Sequence, residues 1–284
     1  MKHGPKLSVA IPDSSLSDQQ SKREKTIKIS QFARAFAIFR IRDVYVYHDH
    51  TTTFSNNNDL DLLLTVLRYL DTPQYLRRIL FSRINQLEYA GILHPIKAPH
   101  HKAEENLKNI KIGDIRVGVI VKVRGLSFVD LGLRSLIRFF GEGAEGKKVN
   151  AKFISAYPDL STVEASENEI GNYYWGYNVQ QTPRLGSLIK NSRNSVIVIA
   201  SRKGSYLSNK EDVLLKRIKL LNNLLVVFGS PRKDVDEILA KESEKTNIEF
   251  MINLFPFQGT ETVRLEEAIL GGLSVLNYLI SKHL

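Results

Sequence analysis

The sequence predicts an α/β protein: a parallel sheet flanked by helices, with a small β-barrel inserted into it. Apolar, strand-like runs occur near both ends of the chain and carry too few polar positions to face water on either side, as covered parallel strands require. Helical periodicity separates these runs. Between about residues 94 and 185, short alternating runs and Gly-rich turns replace that pattern, which is typical of a small barrel.

The N-terminal part is predicted to form a strand, a helix and a strand. "LSVAIP" (7–12) and "DVYVYH" (43–48) are short apolar or aromatic runs of strand length. Between them, apolar residues recur at spacings of three, four and three, which places them on one face of a helix. These residues are Ile29, Phe32, Phe36 and Phe39.

The C-terminal part supplies three further predicted strands, "SVIVIA" (195–200), "LLVVFG" (224–229) and "EFMINLF" (249–255). Together with the N-terminal strands they predict one discontinuous α/β domain over residues 1–93 and 186–284. Residues 94–185 are predicted to form the inserted barrel as a separate domain.

Composition excludes several classes of protein. The 284 residues contain no cysteine, which excludes disulfide bonds, thiolate catalysis and cysteine-ligated zinc. No apolar run has membrane-spanning length and the N-terminus lacks a signal peptide's apolar core, so we expect a cytoplasmic protein without membrane segments. A formal net charge of +10 favours a polyanionic partner such as nucleic acid. The alternative is a basic but otherwise ordinary enzyme.

Basic residues crowd the predicted first helix. Seven lysines and arginines lie within residues 21–42, and Glu24 is the one acid among them before the strand begins. Contact with phosphates is the functional interpretation, and a solvated face that only confers solubility is the alternative. The predicted RNA-binding residues are Lys22, Arg23, Lys25 and Lys28.

Three glycine-bearing loops follow the C-terminal strands: "SRKGS", "GSPRKD" and "PFQGTET". Ligands bind at the carboxyl ends of parallel strands, and glycine lets the backbone approach them, so the three loops together predict a ligand site. No G-x-G-x-x-G follows the first strand and no P-loop motif occurs, which argues against a dehydrogenase or a P-loop NTPase. His100 and His101 are adjacent rather than on one helical face, so no metal site is predicted.

Six blocks of sequence carry, in order, a resemblance to a known family. They are "QFARAFAIFRIRDVYVYHD", "LDTPQYLRRILF", "AGILHPIKAPHH", "YYWGY", "LLVVFG" and "PFQGTETVRLEEAIL". In these blocks the chain resembles the SPOUT-superfamily (α/β-knot) RNA methyltransferases that carry an inserted OB-like barrel. The resemblance spans nearly the whole chain, with the barrel as its least well matched part. It implies a homodimer whose sheet forms a C-terminal trefoil knot, an exception to the rule against threaded loops.

The resemblance also implies that the three loops form a pocket for S-adenosyl-L-methionine. On the family pattern, the cofactor contacts are Lys203, Gly204, Gly229, Asn253, Leu254, Gln258, Gly259 and Thr262. The chain departs from that pattern at residues 201–204, where it has Ser-Arg-Lys-Gly instead of the expected S-E-R-G. Lys203 keeps the positive charge of an arginine but lacks its bidentate fork.

Methyl transfer from a sulfonium requires mainly that the nucleophile be oriented and, for a ring nitrogen or a hydroxyl, that its proton be removed. The predicted catalytic residues are Arg34, Arg264 and Glu267. Two alternatives stay open: Glu267 complements the dipole of its helix, and Arg34 pairs at a dimer interface.

Gly271 and Gly272 lie inside the predicted last helix. Each glycine costs about 1 kcal/mol relative to alanine there. Close packing against another backbone would explain the pair, and a kink or a helix end is the alternative.

The sequence therefore predicts an S-adenosylmethionine-dependent methyltransferase acting on a structured RNA such as rRNA, with the barrel and the basic helix binding that RNA. Uridine N3 is slightly favoured over the ribose 2′-oxygen as the methylated atom. One alternative is a noncatalytic RNA-binding or assembly protein that keeps the knot as a scaffold. Another is an enzyme acting on a substrate other than nucleic acid.

Overall fold

A computed structural model describes residues 4–51, 57–101, 106–171, 173–242, 246 and 248–283. The chain divides into two compact units. The first comprises Met1–Arg68, Gln86–Pro95 and Gly176–Leu284, and the second comprises Tyr69–Asn85 and Ile96–Trp175. Among the described residues, no helix combines the length and the apolar character that crossing a membrane requires.

The first unit is built on a six-stranded sheet. Numbered along the whole chain, its strands are β1 (Lys6–Pro12), β2 (Ile41–Tyr47), β8 (Asn178–Thr182), β9 (Val196–Tyr206), β10 (Asn223–Phe228) and β11 (Phe250–Asn253). Their order is β11-β9-β10-β1-β2-β8, and every neighbouring pair is parallel. The predicted parallel sheet, with strands from both ends of the chain, is confirmed.

Helices flank this sheet. They are α1 (Lys22–Ile38), α5 (Leu185–Asn191), α6 (Glu211–Leu221), α7 (Val235–Lys241) and α8 (Leu265–His283), and α2 (Asn57–Asp71) follows β2. α1 begins with a capping box, in which the Ser21 hydroxyl accepts from the Glu24 N–H and the Glu24 carboxylate accepts from the Ser21 N–H. Three of the four predicted apolar residues are fully buried on its inner face, and Phe39 is its half-buried C-cap.

The core of the first unit lies against the central strands, whose apolar residues are almost completely buried. On one face, α5 and α7 pack on β1, β9 and β10. Tyr47 is fully buried at the end of β2, and its hydroxyl donates to the Phe228 carbonyl at 2.6 Å. This bond ties the carboxyl end of β2 to the carboxyl end of β10, although β1 lies between them in the sheet.

The second unit contains a closed five-stranded barrel. Its strands are β3 (Ile115–Val123), β4 (Leu126–Asp130), β5 (Ile137–Phe139), β6 (Lys148–Ser155) and β7 (Ser161–Glu164), and its helices are α3 (Gln74–Leu80) and α4 (Glu167–Ile170). The strand order is β3-β4-β5-β7-β6, with β5–β7 as the parallel pair and the other ladders antiparallel. This five-stranded arrangement is that of an OB-like barrel. Its interior is filled by residues such as Ile120, Val129, Phe139 and Phe153.

The boundaries between the two compact units differ from the predicted domain boundaries at residues 94 and 185. β8 lies inside the predicted insert, yet it pairs with β2 in the main sheet. Its sequence, NVQQT, has a single buried residue, Val179, so this edge strand carries no apolar signal. Residues 69–85, predicted to belong to the α/β domain, are part of the barrel unit, where Gly132 packs against Tyr75.

Candidate functional site

A cavity of about 350 Å³ lies at the carboxyl edge of the parallel sheet. Its walls come from three segments: residues 200–203 of β9, the loop after β10 with the start of α7, and the segment from the end of β11 into α8. These segments contain the three glycine-bearing loops. The fold therefore brings together loops that are about 30 residues apart in sequence, as expected for parallel strands.

Six of the eight predicted cofactor contacts line this cavity. They are Lys203, Gly229, Asn253, Leu254, Gln258 and Thr262. Gly204 and Gly259 are not among the lining residues.

Gly204 has a packing role. A Cβ at this position would lie 2.6 Å from the backbone of Met251 and of Ile252. The ladder between β9 and β11 shifts register between these two residues of β11. Glycine is required here because the two strands approach each other too closely for a side chain.

Gly229 and Gly259 differ in what surrounds them. A Cβ at Gly229 would lie 2.7 Å from the Lys233 carbonyl oxygen, which also accepts the Ser230 N–H at 2.9 Å. Gly229 thus closes a tight loop. A Cβ at Gly259 would meet no protein atom within 4 Å. The protein itself therefore does not require glycine at this position, and the predicted steric need would have to come from a bound ligand.

Lys203 is held by carboxylates from the start of α7. Its Nζ lies 3.0 Å from Asp236 and 3.3 Å from Asp234, with Glu237 at 3.9 Å. The hydrogen bond with Asp236, followed by that with Asp234, raises the pKa of Lys203 above its usual range. These three carboxylates are also close enough together to hold a metal ion, but the lysine ammonium already neutralises part of their charge.

Two polar side chains shape the segment after β11. The Asn253 amide donates to the Arg202 carbonyl at 3.2 Å and accepts the Phe255 N–H at 2.9 Å. The Gln258 amide donates to the carbonyls of Thr260 and Glu261 at 2.9 and 3.2 Å. Both predicted cofactor residues therefore also fix the backbone that faces the cavity.

The three predicted catalytic residues are not part of the cavity lining. Arg34 is exposed on α1, and its guanidinium donates to the Pro95 carbonyl at 3.3 Å. The Glu267 carboxylate accepts the Arg264 N–H at 2.9 Å, which caps the N-terminus of α8. The open alternative for Glu267, a role at its helix end, is therefore the one that the geometry shows. Catalysis by these residues stays a prediction.

The cavity also has charged residues that no sequence pattern indicated. Glu261 lines it, and its backbone carbonyl accepts from the Arg202 guanidinium at 2.8 Å. Arg232 also lines it and donates to the Ser17 carbonyl at 3.3 Å. Both residues belong to the glycine-bearing loops that were predicted to form a ligand site. No local sequence pattern distinguishes them from their neighbours in those loops.

The predicted RNA-binding lysines have acidic partners. Lys28 is buried, with its Nζ 2.6 Å from Asp18 and 3.2 Å from Glu266. Lys25 lies 2.7 Å from Asp59 and Lys22 lies 2.9 Å from Glu88. The partners come from distant parts of the chain, so the nearly acid-free local sequence was misleading. Lys25 and Lys28 are poor candidates for phosphate contacts, whereas Arg23 is exposed and stays a prediction.

Gly271 and Gly272 lie within α8, which continues through them without a break. A Cβ at Gly271 would lie 2.7 Å from the Phe255 ring, and one at Gly272 would lie 3.0 Å from Leu254. The predicted packing against another backbone was wrong, because the nearest atoms at both positions belong to the side chains of Phe255, Leu254 and Phe228. Since Phe255 and Leu254 line the cavity, these glycines allow α8 to form its wall.

Comparison with known proteins gives a consistent family. A family model described as "Putative RNA methyltransferase" matches residues 6–276. A human protein named 28S rRNA (uridine-N(3))-methyltransferase is 28% identical, in an alignment covering 95% of this chain and 77% of the relative. Proteins of the same name from Mus musculus and Drosophila melanogaster are 27% and 26% identical. The alignments cover 75% of the mouse protein and 61% of the fly protein.

Proposed function

The chain belongs to this family of RNA methyltransferases, and on that premise we propose that it methylates N3 of a uridine in ribosomal RNA, with S-adenosylmethionine as methyl donor. The observation that carries the proposal is the extent of the similarity. Three relatives named as 28S rRNA (uridine-N(3))-methyltransferases each align with 95% of the chain, so both compact units take part in the match.

The cavity fits the proposed donor in size and in chemistry. Small-molecule sites have volumes of roughly 300–1,000 Å³, and the cavity has about 350 Å³. Leu254, Val263 and Leu265 offer an apolar surface for a purine ring, and the strand ends offer backbone N–H and C=O groups for its polar edge. Asp234 offers a carboxylate for the donor's hydroxyl or amino groups.

S-adenosylmethionine supplies a methyl group that is already activated by its sulfonium. The chain must orient uridine N3 toward that group and accept the N3 proton, so that the new N–C bond forms without a net charge on the base. We assign the proton acceptor to Glu261. Within the described part of the chain it is a carboxylate of the cavity with no ion-pair partner, whereas Asp234 and Glu237 face Lys203.

The proposal extends to the trefoil knot and the homodimer that the SPOUT resemblance implies. Exposed apolar side chains on α1 and α8 support a dimer: Ile38 is 52%, Leu270 is 47% and Tyr278 is 68% exposed. A second copy covering these residues would remove them from water. Sedimentation equilibrium of the intact chain tests this, and a monomer at micromolar concentration would contradict it.

Calorimetric titration with S-adenosylmethionine tests the cofactor site. Ala268 of α8 lines the cavity. The larger side chain of Ala268→Leu should fill part of the cavity with little change in helix propensity, so this variant should not bind the donor. Val213→Leu, at an exposed position of α6 outside the cavity, is the control and should bind normally. No binding by the wild-type chain would favour the noncatalytic RNA-binding alternative.

Methylation itself is tested with rRNA and isotope-labelled S-adenosylmethionine, followed by mass spectrometry of the nucleosides. The expected product is 3-methyluridine. Glu261→Gln should bind the donor normally and lose at least tenfold in the rate of transfer, because a general base contributes about 10²–10⁴-fold. A 2′-O-methylated product would refute the N3 assignment.

A further inference from the structure

The solvent-facing side of β4 and β5 in the barrel carries apolar residues. Phe128 and Arg138 are opposite each other on these strands, and Phe140, which follows β5, is 56% exposed. Leu126 and Val123 are paired at the end of the β3–β4 hairpin and are also exposed. These five residues are called the Phe140 patch.

The Arg138 guanidinium lies close to both aromatic rings. Its guanidinium carbon lies 5.3 Å from the centroid of the Phe128 ring and 5.4 Å from that of Phe140. One of its N–H groups donates to the Ser127 carbonyl at 3.0 Å, which fixes the guanidinium plane. Among the described residues, no carboxylate forms an ion pair with Arg138. The patch therefore combines an exposed ring with an unneutralised positive charge.

The surroundings of the patch are also basic. Residues 121–147 contain five basic side chains, Lys122, Arg124, Arg134, Arg138 and Lys147, and three acidic ones, Asp130, Glu142 and Glu145. The Asp130 carboxylate accepts the Gly132 N–H at 2.9 Å, within its own turn. Aromatic residues and arginine are also enriched at protein–protein interfaces, but lysine is depleted there, whereas single-stranded nucleic acids are bound by aromatic rings within a positive groove. The charge distribution thus favours a polyanion over a protein.

We propose that the Phe140 patch binds single-stranded RNA, with an unpaired base stacked on the Phe140 ring and the neighbouring phosphates near Arg138 and Arg124. The choice of RNA as the polyanion rests on the proposed function. The position agrees with the general use of OB-like barrels, in which the face of the second and third strands binds oligonucleotides. Here those strands are β4 and β5. An arginine between the rings adds a cation–π contribution to stacking.

Fluorescence anisotropy with the full chain tests the proposal. The probes are a labelled oligouridylate of about 12 nucleotides, within the roughly 4–16 nucleotides that an OB-fold covers, and an abasic oligomer with the same number of phosphates. Phe140→Ala should weaken oligouridylate binding about 5- to 150-fold, the range measured for loss of one stacked base, and leave abasic binding unchanged. Phe140→Trp should keep the affinity. Ile154→Ala, an exposed apolar position on β6, is the matched control and should bind normally.

Three results would overturn the proposal. Unchanged oligouridylate affinity in Phe140→Ala would remove the base-stacking role. An equal loss for both oligomers would show an effect of charge or folding instead of stacking. Self-association of the wild-type chain that disappears in Phe140→Ala while RNA affinity persists would assign the patch to a protein contact. Calorimetry with S-adenosylmethionine separates this proposal from the enzymatic one, because donor binding at the sheet edge does not involve the patch.

Discussion

Lys28 gives the sharpest test of the structure, because two interpretations of it predict opposite results. Its side chain is 2% exposed, and its Nζ bridges Asp18, in the segment before α1, and Glu266, in the first turn of α8. Removing one partner of a buried ion pair destabilises proteins by about 3–5 kcal/mol, because the remaining charges stay buried without compensation. In Lys28→Ala two carboxylates, 26% and 12% exposed, are left facing each other.

We therefore expect Lys28→Ala to lower the free energy of unfolding by about 3–5 kcal/mol, and the Tm by roughly 6–20 °C for a unit of this size. Differential scanning calorimetry and urea titration measure these quantities. Lys22→Ala is the matched control. Its ion pair with Glu88 is exposed on both sides, so its loss should cost at most about 1 kcal/mol. Adding Asp18→Asn and Glu266→Gln to Lys28→Ala should restore part of the stability.

The phosphate-contact interpretation predicts the reverse for Lys28→Ala: unchanged stability and an RNA-binding salt dependence lower by roughly 0.7 in log–log slope. With Lys28 buried, we expect that slope to be unchanged at a temperature where the variant is folded. A fully stable variant with a reduced slope would refute a structural role for Lys28.

Three further predictions follow from buried groups and glycines. The Glu242 carboxylate accepts the first two N–H groups of α5 at 2.8 and 2.7 Å, so Glu242→Ala should lower stability by about 2–4 kcal/mol in urea titration, and Glu242→Gln by less. Burial raises the pKa of Tyr75 to about 12, above its unfolded value of 10, so its contribution is complete well below pH 10 and is lost as the pH rises toward 12. Between pH 10 and 11 the wild type should lose about 1 kcal/mol more than Tyr75→Phe. Gly204→Ala should destabilise the fold measurably, whereas Gly259→Ala should leave Tm unchanged, because only the first Cβ would meet backbone.

Hydrophobic patterning was sufficient to predict most of the fold. β1, β10 and the first half of β9 carry apolar residues on both faces because helices cover the sheet, and this is visible in sequence as short apolar runs. β8, which pairs with β2, was predicted to lie within the insert for the complementary reason. As an edge strand with mostly exposed side chains, it is held by backbone hydrogen bonds to β2, which leave no signature in residue type.

The site was predictable at the level of loops and less so at the level of side chains. Glycines at strand ends marked all three walls of the cavity, because strand direction alone brings those ends together. Which glycine lines the cavity depends on tertiary contacts, and Gly204 is instead required by the neighbouring strand β11. The same limit applies to charge: the partners of Lys25 and Lys28 lie far away in sequence, so local charge counting could not find them.

The strand order also determines when the chain can finish folding. Val9 of β1 lies opposite Val226 of β10, so β1 cannot complete its pairing until a strand much further along the chain has been synthesised. All barrel strands lie between residues 115 and 164, and the barrel can therefore form on the ribosome while β1 and β2 still lack their outer neighbours. Contacts of such long range slow folding, because loop closure precedes any gain from pairing. During synthesis all barrel strands are thus made before the sheet is complete, and the cavity, whose lining residues all lie beyond residue 199, forms after them.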